Sequence, residues 1–385
     1  MADVKSTDQV PQLGFWEKVD LPLGQATVLV HSLFAAITGL FRGQGSPKVF
    51  SHHVTAAAIR TMVDRLSVRQ AQYMSPTTPQ SYHAVVKRRG LQPEVVKLPH
   101  DTEGYWMGKK SAKNVIIYYH GEPETLPSPP RPTEVYSIKI QSSISARGGF
   151  AMAATAAHFD FWIDLIQVLN DQGHDIAVFF PRYTLAPQAT YPTQLRQAVG
   201  ALRYILGDEG RDPSTVIVGG DSAGGNLAMA LLLHLSHPHP EIDQINLSAS
   251  LAGVFAFAPW VNFDQDWPSY KTNAYKDIIT GKALSEWSNA YLDGKPGDNW
   301  SEPSRAPAEW WKDAKTERIL LLAGSDEILL GPIEDFAKKL KSVFPHTTFV
   351  VGDDESHDAH LYVASGSKEG TQTSRELRRW VAARL

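Results

Sequence analysis

Ser222 stands in the pattern Gly220-Asp-Ser-Ala-Gly224, a spacing that can turn a serine into a nucleophile. The two glycines leave room for a turn so tight that the backbone crosses itself, with the hydroxyl exposed on the bend. An apolar run enters the pattern and an Ala/Leu-rich run leaves it, which predicts strand, turn and helix in that order. The amide of Ala223, at the start of that helix, would then face a developing oxyanion.

A serine nucleophile also needs a base, and the base needs a carboxylate that orients it. In one known order of such triads the serine comes first, the acid second and the histidine last. Asp326 follows the apolar run 319–322 by four residues, which makes it the predicted acid. Glu327 is the adjacent competitor and Asp335 lies further along; both are interpreted as solvated helix charges.

The base should come from the loop after the next strand. His357 and His360 both lie in that loop, in the segment Ser-His-Asp-Ala-His. We favour His357 because it comes first in the loop and is followed by Asp-Ala. His360 is then a bystander. The predicted triad is therefore Ser222, Asp326 and His357.

The elements that must position these side chains alternate between short apolar runs and helical patterns. Continuous apolar strands separated by helices predict a mostly parallel sheet with helices on both faces, a three-layer α/β domain. The predicted strands are 115–119, 176–180, 215–218, 253–258, 319–323 and 348–351. The predicted helices lie near 158–170, 193–206, 223–235 and 333–343.

Four segments together resemble the hormone-sensitive-lipase-like branch of the α/β-hydrolase fold, particularly its fungal esterase-like members. They are GDSAGGN at 220–226, RYTLAPQATYP at 182–192, AGSDEIL at 323–329 and SHDAH at 356–360. The resemblance implies Ser222 as nucleophile, Asp326 as orienting acid and His357 as base, with a helical cap over the site. The family usually has Glu where this chain has Gln188, which implies a neutral hydrogen bond in place of a supporting salt bridge.

The family's oxyanion motif, His-Gly-Gly-Gly, is interrupted here. His120-Gly121 ends a predicted strand, and Gly148-Gly149-Phe150 precedes the next helix. Removing the Pro- and Ser-rich residues 122–147 restores the motif, so we predict oxyanion donors at Ala223, Gly121, Gly148 and Gly149. Our hypothesis is that 122–147 is a translated, in-frame retained intron. The alternatives are a genuine loop of this protein, or no displaced motif at all.

Two regions depart from the alternation. Residues 1–90 are predicted to form a helical N-terminal or cap region, with the catalytic domain over 91–385. Residues 260–312 hold six of the ten tryptophans. They are interpreted either as packing between helices or as a cap over a pocket, because aromatic side chains line most apolar ligand sites.

Residues 21–41 form an apolar stretch long enough to cross a bilayer. Its preceding residues do not favour a cleaved signal peptide. The alternatives are an amphipathic or buried helix over the catalytic domain, or an uncleaved anchor or interfacial helix with weak membrane association. We expect a cytoplasmic protein, with association with the endoplasmic reticulum membrane as the alternative.

Composition limits the partners. The 385 residues carry a net charge of −4 and contain no cysteine. These values do not indicate nucleic acid binding, and they exclude disulfides, thiolate metal sites and a cysteine nucleophile. We predict no cofactor and no metal. The expected partner is a small-molecule ester.

The predicted function is a serine hydrolase that cleaves carboxylic esters of a small apolar metabolite through an acyl-enzyme. One alternative keeps the nucleophile but directs it to acyl transfer or cyclisation in secondary metabolism. The other is a non-catalytic ligand-binding module, because the same fold can serve as a receptor.

Overall fold

A single mixed sheet forms the centre of the molecule. The computed structural model describes residues 10–41, 43, 45–121, 148–362 and 370–385. Within these residues the sheet has eight strands. In chain order they are β1 (Val95–Leu98), β2 (Thr102–Met107), β3 (Asn114–Tyr119), β4 (Ile176–Pro181), β5 (Val216–Asp221), β6 (Gly253–Phe257), β7 (Ile319–Gly324) and β8 (Thr347–Gly352).

The order of the strands across the sheet is β1-β2-β4-β3-β5-β6-β7-β8. β2 runs antiparallel to both β1 and β4, whereas the pairs from β4 through β8 are parallel. Strands β3 to β7 are buried along their whole length. That burial explains why each reads as a continuous apolar run.

Helices cover both faces of the sheet. In chain order they are α1 (Phe15–Thr38), α2 (Phe50–Arg65), α3 (Val68–Met74), α4 (Thr78–Arg88), α5 (Ala156–Asp171), α6 (Thr193–Arg203), α7 (Ser222–Ser236), α8 (Ser269–Thr272), α9 (Gly281–Leu292), α10 (Leu330–Val343), α11 (Ala359–Tyr362) and α12 (Gln372–Ala382). Short 3-10 turns occupy Gly39–Phe41, Pro213–Thr215, Pro303–Arg305 and Ala308–Trp311, and a π turn occupies Tyr204–Asp208.

Alternate residues of β3 enter two separate cores, as the two-residue period of a strand requires. Val115, Ile117 and Tyr119 pack on one face with α6, α7 and α10. Ile116 and Tyr118 pack on the other face with α4, α5 and α12. The sheet is therefore the middle of three layers, and the predicted α/β fold is confirmed.

The sequence does not predict β1 and β2. β1 has only four residues, and Gly104 interrupts the apolar pattern of β2. A Cβ on Gly104 would lie 2.0 Å from the ring of Phe179 on β4. This glycine therefore marks a close approach between strands, as glycine inside a strand often does.

The Trp-rich region 260–312 connects β6 to β7 and contains α8 and α9. Trp260, Trp287 and Trp311 are fully buried, so packing accounts for these three aromatic side chains. Its role as a cap, and the division of the chain at residue 90, stay predictions.

Helix α1 lies along α2 rather than inside the core. A Cβ on Gly24 would lie 2.5 Å from Leu66, and Asp20 forms an ion pair of 2.5 Å with Arg65. The opposite face is open to solvent, with Phe34 65% and Ile37 66% exposed. One face of α1 is therefore packed and the other exposed, and the alternatives given above for this segment stay open. The span Phe15–Phe41 is long and apolar enough to cross a membrane.

Candidate active site

The nucleophile candidate lies on a sharp turn between β5 and α7. Ser222 is the first residue of α7 and has a φ of +47°, in the left-handed region that side chains rarely adopt. A Cβ on Gly224 would lie 2.0 Å from the carbonyl oxygen of Tyr119, and one on Gly220 would lie 2.3 Å from that of Gly224. Only glycine fits at these two positions, so the strained serine is held by the packing of the turn around it.

The structure brings His357 to this serine from 135 residues away along the chain. The Nε2 atom of His357 lies 2.9 Å from the hydroxyl oxygen of Ser222, and both side chains are buried. When the imidazole carries its proton on Nδ1, Nε2 accepts the serine proton. The pair therefore has the geometry of a nucleophile and its general base.

Glu327, rather than Asp326, lies beside the other nitrogen of the imidazole. An oxygen of Glu327 is 3.5 Å from Nδ1 of His357, and its second oxygen accepts the amide of Gly324 at 2.6 Å. The carboxylate of Asp326 instead pairs with Lys276 at 3.0 Å. The prediction of Asp326 as the orienting acid is not met, because the two adjacent side chains leave the loop after β7 in different directions.

The rival residues lie elsewhere. Asp335 is exposed on α10, as expected of a solvated charge. The ring of His360 stacks on Phe257 with centroids 3.9 Å apart, and burial lowers the pKa of His360 to about 3. His360 is thus a neutral core residue.

Two further carboxylates approach His357. An oxygen of Asp358 is 3.4 Å from Nε2, and Asp277 accepts the backbone amide of His357 at 3.0 Å. Burial is the largest effect on the Asp277 carboxyl group and raises its pKa to about 7. The charge of Glu327 also raises this pKa, whereas the charge of His357 and the backbone amides of Ile328 and His357 lower it. Of these carboxyl groups, Glu327 and Asp358 lie 3.5 and 3.4 Å from the ring nitrogens, and in their ionised form they would stabilise an imidazolium at position 357.

The predicted oxyanion donors differ in what their backbones contact. The amide of Gly121 donates to the carboxylate of Asp221 at 2.9 Å, so this group is committed to Asp221 and the prediction of Gly121 as a donor is not met. The reason is that Asp221, directly before the nucleophile, points back at β3. Ala223 is fully buried in the first turn of α7. Gly149 has a φ of +66° and packs against Trp287.

The two halves of the interrupted glycine motif share one neighbourhood. The ring of Tyr183 lies 4.6 Å from that of His120 and 6.1 Å from that of Phe150. The Tyr183 hydroxyl also donates to the carbonyl of His120 at 2.7 Å. The chain therefore returns at residue 148 close to where it leaves at 121. Residues 122–147, and with them the intron hypothesis, lie outside the described residues.

A buried polar network contacts the nucleophile turn through Asp221, the residue before Ser222. Asp221 is fully buried, accepts the hydroxyl of Tyr118, and lies 3.5 Å from Nε2 of His158. Burial alone would raise the pKa of Asp221, but the interactions with His158 and Tyr118 hold it below its usual range. The carboxylate therefore remains ionised and fixes β3, α5 and the nucleophile turn to one another.

Gln188, where the resemblance implies a neutral bond, pairs with an N-terminal residue. Its side-chain amide lies 2.7 Å from the side-chain amide of Gln72 on α3. The amide of Gln72 in turn donates to the carbonyl of Ala151 at 2.6 Å. The N-terminal helices thus contact the segment that carries Gly148 and Gly149.

A family model described as alpha/beta hydrolase fold matches residues 147–361, more than half of the chain. The chain belongs to the α/β-hydrolase fold family. Within the described part of this hydrolase, no group of three or more His, Asp or Glu side chains is arranged to hold a metal ion.

Named relatives of this α/β hydrolase are ester and amide hydrolases. The chain is 30% identical to the arylacetamide deacetylase of Bos taurus over 134 residues, covering 34% of this chain and 32% of the relative. It is 26% identical to steryl acetyl hydrolase 1 of Saccharomyces cerevisiae over 208 residues, covering 50% of this chain and 46% of the relative. The chain spans about half the length, or less, of the curated relatives it matches.

Solved structures agree on the fold. An esterase of the bacterial hormone-sensitive lipase family superposes with a TM-score of 0.62 at 20% identity, covering 88% of this chain and 99% of the other. Carboxyl esterase 2 of the fungus Tuber melanosporum gives 0.57 at 18% identity, covering 76% and 85%. The family model confirms the α/β-hydrolase fold family, and the hormone-sensitive-lipase-like branch stays a resemblance.

Sequence reasoning missed a set of residues between β6 and β7. Ser269, Asn273 and Asp277 are buried polar side chains that contact the loops carrying Glu327 and His357. Their spacing of four residues was the available signal, because side chains four residues apart come to the same side when the backbone turns helically.

Proposed function

We propose that this protein is a carboxylic ester hydrolase that works through an acyl-enzyme on Ser222. The observation that carries the proposal is the 2.9 Å contact between the Ser222 hydroxyl and Nε2 of His357. The family model and the names of the relatives support the same class of reaction.

In the first half of the reaction, the oxygen of Ser222 attacks the ester carbonyl while its proton passes to Nε2 of His357. The carbonyl π electrons move to oxygen and form a tetrahedral oxyanion. The amides of Ala223, Gly148 and Gly149 are the proposed donors to that oxygen. The intermediate collapses, the ester C–O bond breaks, and the alcohol leaves with the proton from His357.

In the second half, water attacks the acyl carbon and gives a proton to His357. Collapse of the second intermediate returns this proton to Ser222 and releases the carboxylic acid. Glu327 is the proposed orienting acid, because its carboxylate lies 3.5 Å from Nδ1. It keeps the imidazole in the tautomer whose Nε2 can accept the proton of Ser222, and it stabilises the imidazolium that forms.

The proposed substrate is a short-chain, acetyl-like ester of an apolar alcohol. Buried aromatic side chains lie beside the nucleophile: the amide of Trp260 donates to the carbonyl of Ser222 at 3.1 Å, and Trp287 packs against Gly149. An apolar surrounding of this kind suits an apolar alcohol and a short acyl group. The names of the relatives, an arylacetamide deacetylase and a steryl acetyl hydrolase, support the same choice.

The test is a series of p-nitrophenyl esters from acetate to decanoate, assayed on the full chain, on a version lacking residues 122–147, and on Ser222→Ala. We expect the highest kcat/KM on acetate or butyrate and no turnover by Ser222→Ala. A fluorophosphonate probe should label Ser222. If neither the full chain nor the version lacking residues 122–147 turns over an ester or is labelled, the proposal is refuted and the ligand-binding alternative is favoured.

An acceptor alcohol added to the same assay separates hydrolysis from acyl transfer. Hydrolysis predicts that the free acid remains the main product. A transferred acyl product, formed faster than the acid at low acceptor concentration, would favour acyl transfer instead.

We also propose that α1 associates with a membrane surface. Its outward face carries large apolar side chains, including Leu33, Phe34 and Ile37, each more than half exposed. Burying such side chains in a lipid interface is worth about 1.5–3 kcal/mol each. Flotation with phosphatidylcholine vesicles should recover the protein, and Leu33→Ser/Phe34→Ser/Ile37→Ser should stay unbound with unchanged esterase activity. Equal flotation of the two proteins would refute the association.

A further inference from the structure

The segment 269–277 binds the loop that carries Glu327 through a ladder of side chains. Backbone amides of residues 273 and 277 donate to the carbonyls of 269 and 273, so Ser269, Asn273 and Asp277 follow one another at successive turns of the backbone, which continue past the end of α8 at Thr272. This set is called the clamp below. All three side chains are buried, and Asp277 is fully so.

Each member of the clamp satisfies backbone groups of the acid loop 325–331. The hydroxyl of Ser269 donates to the carbonyl of Ile328 at 2.6 Å and accepts the amide of Gly331 at 3.1 Å. The side-chain amide of Asn273 donates to the carbonyls of Ser325 at 3.0 Å and Glu327 at 2.8 Å. The clamp therefore fixes the loop on both sides of the Glu327 side chain.

Asp277 extends the clamp from the acid loop to the base loop. One of its oxygens accepts the amide of Ile328 at 2.7 Å, and the other accepts the amide of His357 at 3.0 Å. It is anchored by the amide of Ile278 at 2.7 Å, and Arg60 of α2 donates to its backbone carbonyl. One buried carboxylate thus joins the residue after Glu327 to His357 itself.

We propose that Asp277 is a positioning residue for the reaction, fixing Glu327 relative to His357 by holding the backbone amides of Ile328 and His357. This inference rests on the proposed function. The loops it joins follow β7 and β8, and the 3.5 Å separation of Glu327 and His357 depends on their relative placement. A displacement of about 1 Å in such a site can cost about 10²-fold in rate.

The central variant is Asp277→Asn, which keeps the size of the side chain. The asparagine side chain has one acceptor oxygen, so it can accept the backbone amide of Ile328 or of His357 but not both. Its NH₂ group then faces the other backbone N–H, and two donors meet. Asp298→Asn is the matched control: Asp298 lies in the same Trp-rich region and also accepts backbone amides, from Trp300 at 3.0 Å and Ser301 at 2.8 Å. Rates are expressed per active site titrated with the fluorophosphonate, so unfolded protein does not count.

We expect Asp277→Asn to lower kcat about 10²-fold with KM changed less than threefold, and Asp298→Asn to leave both within threefold. Because Asp277 acts through the Glu327–His357 pair, the same substitution should cost less than fivefold in a Glu327→Gln background. A kcat per site within threefold of the parent, or a full 10²-fold loss in both backgrounds, would overturn the proposal. If Asp277→Asn does not fold, Asn273→Ala takes its place, and we expect it to lower kcat about tenfold. A kcat within threefold of the parent, or an equal loss in the Glu327→Gln background, would then overturn the proposal.

A proton NMR measurement separates this inference from the proposed function. The Nδ1 proton of His357, assigned by its loss in His357→Gln, should resonate far downfield in the parent protein and shift or disappear in Asp277→Asn. If the parent hydrolyses no ester yet this change occurs, the function fails and the positioning role stands. An unchanged resonance in Asp277→Asn refutes the positioning role whatever the activity.

Discussion

Replacing Glu327 by glutamine tests which of two neighbouring carboxylates orients the base. Glutamine can keep the hydrogen bond from the Gly324 amide, which Glu327 accepts at 2.6 Å, through its remaining oxygen. Its NH₂ group then faces Nδ1 of His357 and donates to it. The imidazole is driven to the tautomer with the proton on Nε2, and that nitrogen can no longer accept the proton of Ser222.

The size of the effect follows from the lost charge. At the observed 3.5 Å and an effective dielectric constant of about 20, a carboxylate stabilises an imidazolium by about 5 kcal/mol. That energy corresponds to about 10³- to 10⁴-fold in kcat. The neighbouring Asp326→Asn changes the pair of Asp326 with Lys276, which lies away from the imidazole, and should leave kcat within about threefold.

The assay is steady-state hydrolysis of p-nitrophenyl acetate or butyrate by both variants, normalised to fluorophosphonate-titrated sites. The two variants are matched because they make the same chemical change at adjacent positions. A loss of kcat in Asp326→Asn that equals or exceeds that in Glu327→Gln would show that the acid is Asp326 and that the loop geometry described above is not the catalytic one.

Three further results are expected. Ser222→Gly should abolish ester hydrolysis yet raise the free energy of unfolding in urea by about 1 kcal/mol, because the φ of +47° costs glycine nothing; a lower stability would argue against strain at this turn. Gly224→Ala should lower that free energy by about 3 kcal/mol or prevent folding, because its Cβ would lie 2.0 Å from the Tyr119 carbonyl; near-parental stability and activity would contradict this packing. Asp277 has a pKa of about 7 in the folded protein against an ordinary value of 3.8, so between pH 4 and pH 7 its carboxyl group holds a proton only when the protein is folded. The parent should therefore lose up to about 4 kcal/mol of stability, relative to Asp277→Asn, as the pH rises from 4 to 8. Stability profiles of the two proteins that run parallel with pH would contradict this expectation.

The sequence alone determines the frame of this protein. The apolar runs that predict β3 to β8 are long, continuous and separated by helical patterns, so local composition and period are sufficient. The nucleophile turn is also local, since the glycines and the serine that make it lie within five residues. His357 could be found because the chemistry requires a histidine after the acid, and few candidates follow β7.

Only the tertiary structure shows which of Asp326 and Glu327 lies beside His357. Both follow the same strand, and their directions depend on a loop held by Lys276 and by the clamp, about 50 residues upstream. The same holds for Gly121, whose amide is taken by the side chain of Asp221, 100 residues away. Local propensity determines which segments form strands and helices. The direction of a side chain in a loop is determined by partners that are distant in sequence, and these become neighbours only in the folded chain.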